Sequence, residues 1–196
     1  VYPHNEMDMD DRDDDIHLYM YGKKGLSRSM LYNQQTKSEF RYKDVTLQNF
    51  GRIFSPSEIG KYSSKIKNIC NNIINSDGII LIYSQYIDGG LVPMALALEE
   101  LGFRRHGKMN SLFKDAPTES IDARTFKKKS EMNEGEEFHP AKYTMITGKK
   151  MLSPQTPKDI ENLISSENIN GEKIKVVLIS QAGSEGLDLK YIRQVH

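Results

Sequence analysis

The stretch IILIYSQYIDGGLVPMALALEELG, residues 79–102, sets the fold class. Ile79, Ile80, Leu81, Ile82 and Tyr83 make a continuous apolar run directly after the break at Asp77-Gly78. A run without polar alternation fits a strand covered on both faces, as in a parallel sheet. After Asp88-Gly89-Gly90, the residues Leu91, Met94, Ala95, Leu98 and Leu101 recur at helical spacing, and Gly102 stands where a C′ glycine ends a helix. With the strand-like Phe103 that follows, this is half of a βαβ arrangement.

The same alternation extends to both sides. Upstream, Ile66, Ile69, Cys70, Ile73 and Ile74 predict an amphipathic helix from Lys65 to about Asn75, capped by Ser64 or Ser63. A capping-box pattern at Ser55-Pro56-Ser57-Glu58 marks a turn before it. Downstream, Tyr143 to Ile146 reads as a strand running into Thr147-Gly148. Thr156-Pro157-Lys158-Asp159 starts a helix with Ile160, Leu163 and Ile164 on its buried face. Ile174 to Ile179 is another apolar strand, and Ile192 to His196 reads as the beginning of a further one. Strands alternating with helices predict an α/β three-layer sandwich with a mostly parallel central sheet.

Two regions differ in composition. Residues 1–54 are polar and weakly periodic, and read as an N-terminal extension or interlobe segment. They hold an acidic run, Asp8, Asp10, Asp11, Asp13, Asp14 and Asp15. Counted as a calcium loop from Asp8, the positions that need glycine and glutamate hold Asp13 and Tyr19, so the run reads as a solvated, mobile loop. Residues 108–140 read as a polar surface insertion in which Lys127-Lys128-Lys129 is followed by Glu131, Glu134, Glu136 and Glu137. The folded lobe is expected over 55–196. Val1 in place of Met, and a strand running into His196, read as a segment of a longer polypeptide.

Composition narrows the function. Twenty-seven basic and 27 acidic side chains give zero formal net charge, unlike a protein that coats nucleic acid. Any such contact is expected to be local. A single cysteine, Cys70, excludes an intramolecular disulfide and a Cys-rich zinc site, and its place on an apolar helix face reads as core. No apolar run approaches the roughly 20 residues that span a bilayer, and no membrane partner is expected.

In parallel α/β sheets ligands bind at the carboxyl ends of the strands. Three polar segments fall there: Ser84-Gln85, Thr147-Gly148, and Ser180 to Asp188. In the third, glycines flank Ser184-Glu185 directly after a strand, and consecutive amides in such a loop can cradle a phosphate or a sugar oxygen. Small hydroxyls and free amides along one edge suit the spaced phosphates of a single strand.

The run SQAGSEGLD, residues 180–188, resembles motif V of superfamily 2 helicases, and Ile79 to Gln85 resembles their motif IV. Tyr62-Ser63-Ser64-Lys65, the helix, that strand and then Tyr143 to Gly148 follow the order of the second lobe of chromatin-remodeller-type ATPases. Residues 83–102, with the motif V text, are similar to helicases of nucleocytoplasmic large DNA viruses, some of which resemble the small subunit of the poxvirus early transcription factor. The resemblance covers residues 55–196. It implies a RecA-like lobe in which Ser84, Gln85, Thr147, Gly148 and Ser180 contact the phosphates of a tracked DNA or RNA strand. It places Gly186 and Asp188 at the ribose of ATP in an interlobe cleft, and gives Glu185 no role.

The same resemblance implies a partner lobe in the same polypeptide, and ATP with Mg2+ held mainly by that lobe. It further implies viral transcription or nucleic-acid remodelling, other transcription-factor subunits as partners, and a place in the virion or the host cytoplasm or nucleus. No GxxxxGKS or GxxxxGKT occurs in the sequence, no Asp-Glu pair follows a strand, and the arginine-bearing motif VI is expected beyond His196. Phosphoryl transfer needs a phosphate cradle, a metal and a charge-stabilising arginine, so this segment alone is expected to be inactive, with no catalytic or metal-binding residue of its own. Two other readings remain open at this point: a stand-alone α/β nucleotide- or phosphate-binding module, and a scaffold lobe in a transcription complex.

Overall fold

The computed structural model describes residues 1–3, 19–107 and 111–196. The acidic run from Asp8 to Asp15 lies outside the described residues. Five strands form one sheet: β3 (Ile79–Tyr83), β4 (Arg104–Arg105), β5 (Lys142–Ile146), β6 (Val176–Ile179) and β7 (Ile192–Val195). Their order is β4-β5-β6-β3-β7, and every pairing is parallel. A separate antiparallel hairpin, β1 (Met30–Asn33) with β2 (Ser38–Tyr42), precedes them.

Strand alternation sends successive residues to opposite faces. Ile80, Ile82, Tyr143, Met145, Val176 and Leu178 face the larger core, with α4 (Ser64–Ile74) and α5 (Val92–Leu101) packed over them. Ile79, Ile146, Val177 and Ile179 face the other way, toward Leu163 and Ile160 of α6 (Thr156–Ile164). The three layers expected from the sequence are therefore present, one face more heavily covered than the other. Expected helix signals appear where chemistry put them: the Ser63 hydroxyl accepts from the Ile66 amide at 3.2 Å, and Gly102 closes α5 at φ +108°. The capping box at Ser55 does not form; its hydroxyl pairs with that of Ser57 instead.

Residues 19–54, expected as a polar extension, supply α1 (Gly22–Ser29), the hairpin, and α2 (Asp44–Phe50), and the short α3 (Ile59–Tyr62) leads from them into α4. Leu26, Met30, Phe40, Tyr42 and Phe54 are buried in the same core as α5. Two carboxylates of α5 tie the polar regions to the sheet. Glu100 accepts from the Tyr42 hydroxyl at 2.6 Å and pairs with Arg52 at 3.1 Å. Glu99, fully buried, accepts from the Leu112 amide at 2.7 Å, the Phe113 amide at 2.9 Å and the Tyr143 hydroxyl at 2.6 Å. The segment read as a surface insertion is thus partly internal: Leu112, Phe113, Ile121 and Ala123 are buried. Asp122 ties it locally by accepting from the amides of Arg124, Thr125 and His139.

Candidate nucleic-acid interface

Register brings the three strand ends together. Ile146 and Tyr83 both pair with Ile179, so Thr147, Ser180 and Ser84 stand one residue beyond the same level on three adjacent strands. The ladder continues into them: the Ser180 amide donates to the Ile146 carbonyl and the Ser84 amide to the Ile179 carbonyl, each at 3.1 Å. They border a groove of about 370 Å³ lined by Gln85, Ile87, Thr147, Gly148, Lys149, Ser180, Gln181, Ala182 and Glu185. The groove at the carboxyl edge of the sheet thus carries both polar residues and apolar ones such as Ile87 and Ala182.

The hydroxyls at that edge are turned inward. Thr147 and Ser180 are buried. The Ser153 hydroxyl accepts from the Thr147 amide at 2.8 Å and bonds the Thr147 hydroxyl at 2.9 Å. The Ser180 hydroxyl donates to the Thr147 carbonyl at 3.1 Å and accepts from the Gly183 amide at 3.3 Å, capping the short turn α7 (Gln181–Ser184). Ser84 is more exposed, but its hydroxyl is closed into a turn with the amide and carbonyl of Tyr86, both at 3.1 Å. What the groove offers a ligand is backbone: the amides of Gln85, Gly148, Gln181 and Ala182 make no hydrogen bond among the described residues. Ser153 was not legible as part of the site, because its role depends on a loop folding back six residues.

Two glycines shape this edge. Gly148 has φ +70°, a left-handed conformation that glycine adopts at little cost. Gly183 sits where a Cβ would lie 1.9 Å from the Ile146 carbonyl oxygen, so only glycine lets α7 close onto the end of β5. Lys149 and Lys150 are exposed at one side of the groove, and Glu185 is the one acid lining it. Gly186, at φ +72°, and Asp188 follow outside the groove. Asp188 is exposed and makes no hydrogen bond or ion pair among the described residues. The structure therefore brings Ser84, Gln85, Thr147, Gly148 and Ser180 together and leaves Gly186 and Asp188 apart from them.

Other reactive groups have structural partners. His106 Nδ1 and the Thr144 hydroxyl lie 2.8 and 2.9 Å from the two oxygens of Asp159, fixing α6 to β4 and β5. Burial pushes the Cys70 thiol up to about 12, which leaves it without thiolate character. Among the described residues, no three His, Cys, Asp or Glu side chains gather to hold a metal ion, and no helix is long and apolar enough to cross a membrane.

No family model matches the sequence. It is similar to African swine fever virus proteins named termination factor NPH-I homolog. The one from isolate Tick/Malawi is 37% identical over 143 residues, which is 68% of this chain and 20% of the relative. The one from isolate Tick/South Africa is 35% identical over 151 residues, 72% of this chain and 21% of the relative. The chain spans about a fifth of the length of these curated relatives.

Proposed function

We propose that this chain is the second RecA-like motor lobe of a viral, ATP-dependent superfamily 2 translocase acting in transcription termination or nucleic-acid remodelling. One observation carries the reading: Ser84, Thr147 and Ser180 end three adjacent parallel strands in register, beside a groove whose amides at Gln85, Gly148, Gln181 and Ala182 are unpaired among the described residues. Backbone amides grip phosphate without regard to base sequence, which is what a motor needs from its track. The names of the African swine fever virus relatives point to transcription termination.

In this account the buried hydroxyls of Thr147 and Ser180 hold the loop, and the amides of Gly148, Gln181 and Ala182 meet the phosphates. Asp188, exposed and without a partner among the described residues, accepts in this reading from a ribose hydroxyl of ATP across an interlobe cleft. ATP supplies the energy for stepping when bound between lobes; its phosphates and Mg2+ are assigned to the other lobe, since this sequence has no Walker-type cradle. The test is an ATPase assay on the longer parent polypeptide. Single-stranded nucleic acid should stimulate turnover, and this 196-residue chain alone should not hydrolyse ATP. Robust turnover by the chain alone, or a parent indifferent to nucleic acid, would contradict the proposal.

A further inference from the structure

Gln85, which lines the groove, lies between Ser84 and Tyr86 in the chain. Ser84, Gly90 and Tyr86 pack together: a Cβ on Gly90 would lie 2.3 Å from the Ser84 hydroxyl and 3.7 Å from Tyr86 Cβ. The neighbouring Gly89 brings in α1. A Cβ there would lie 3.4 Å from Gly22 Cα, 3.8 Å from Gly22 N and 3.9 Å from Tyr86 Cβ. The Gly22 backbone and Tyr86 Cβ therefore flank the same glycine, and Tyr21 is the residue bonded to Gly22 N. Tyr21 and Tyr86 are both solvent-facing, at 56% and 65% exposure. Neither ring is stacked on another aromatic among the described residues. Beside them Lys23 and Lys24 are exposed in the first turn of α1, which contains no acid. Lys24 Nζ lies 5.2 Å from the ring centroid of the exposed Tyr19. In a chain of zero net charge, this is a local concentration of cations and bare aromatic faces.

We propose that Tyr86, Tyr21, Lys23 and Lys24 form a platform for single-stranded nucleic acid that continues the strand-end groove onto α1. The proposal rests on the groove being a phosphate track, as argued above. Its chemistry is additional to that track. Exposed tyrosine faces stack unpaired bases of any sequence, and adjacent lysines neutralise the phosphates between them. A duplex has no free base faces to give, so the platform selects single strands. The two glycines between the tyrosines keep this part of the surface low, with Gly90 unable to carry a side chain without displacing Ser84.

The experiment measures binding of the 196-residue chain to a fluorescent oligothymidylate of about 18 nucleotides, with salt varied and an unlabelled duplex as competitor. Combined Tyr21→Ala and Tyr86→Ala should weaken binding by about thirtyfold or more, and Tyr→Phe at both positions should restore it. Combined Lys23→Ala and Lys24→Ala should reduce the slope of log affinity against log salt by about 1.4. The duplex should compete poorly. Tyrosine-to-alanine variants within twofold of wild type, while Gly183→Ala abolishes binding, would remove the platform and leave the groove. A wild-type chain that binds no oligonucleotide would overturn both. A duplex that competes as well as a single strand would overturn the stacking.

Discussion

Glu99 and Ser180 are both buried polar side chains whose partners are all protein, yet they serve different ends of the molecule. Glu99, at the middle of the fold, gathers two insertion amides and the Tyr143 hydroxyl around one carboxyl group. Ser180, at the carboxyl edge, has one donor, the Gly183 amide of the turn it caps, and one acceptor, the Thr147 carbonyl just past β5. Loss of the two side chains therefore acts on different parts of the molecule. Around Glu99, losing the side chain strands several buried donors inside the protein. Around Ser180, losing it loosens a turn whose amides are the proposed phosphate contacts.

Replacing Glu99 by alanine should have the largest effect on stability. Three buried donors would lose their acceptor, and the loss should be about 3–5 kcal/mol in urea unfolding. Oligonucleotide affinity per folded molecule should stay within about twofold. A Glu99→Ala chain as stable as wild type would show that the insertion is held by its apolar side chains alone. The same carboxyl predicts a pH dependence. Burial raises it above its usual range, against the pull of its donors. The folded state then retains a proton that the unfolded chain releases, so this group's contribution falls as pH rises above about 4.5. Glu99→Gln should flatten that part of the stability profile, and an unchanged slope would assign it to other groups.

Gly183→Ala comes next. The added carbon collides with the Ile146 carbonyl, so α7 must move off the end of β5. Stability should fall by about 1–3 kcal/mol, and oligonucleotide affinity by at least tenfold. Unlike Glu99→Ala, the binding loss should exceed what the unfolded fraction explains. Ser180→Ala and Asp188→Ala complete the series. Ser180→Ala removes two neutral hydrogen bonds, and should cost about 1 kcal/mol of stability with a roughly two- to tenfold loss of strand binding. Asp188→Ala should change stability by less than about 0.5 kcal/mol and leave strand binding intact, acting only on the ATP dependence of the parent. The same binding defect in both would make the 180–188 loop a single hinge rather than two sites.

The strands β3 and β6 were legible because they are continuous apolar runs, β5 because Tyr143, Met145 and Ile146 run into Thr147-Gly148, and the helices packed on the sheet because Ile, Leu and Ala recur at helical spacing. The two-residue strand β4 was signalled only by Phe103 just before it, since Arg104 and Arg105 carry no apolar signal and owe their pairing to Lys142 and Tyr143, nearly forty residues away. The packing of residues 19–54 and 111–123 was hidden for a related reason. Their polar composition is what sequence shows, while Glu99, Glu100 and Asp122 satisfy those polar groups only once the chain is folded. At the candidate site, sequence named the strand-end residues but not their orientation. Thr147 points to Ser153 and Ser180 to the Thr147 carbonyl, choices made by a loop whose course no local periodicity encodes.

The central claim is that unpaired amides at the sheet's carboxyl edge receive the phosphates of a strand. The direct measurement is an amide proton–nitrogen correlation spectrum of the 196-residue chain titrated with a single-stranded oligonucleotide. The amides of Gln85, Gly148, Gln181 and Ala182 should shift together and saturably, while those of Leu112 and Phe113, held by Glu99, stay in place. Binding that shifts the Leu112 and Phe113 amides, or leaves the four edge amides unmoved, would contradict the account.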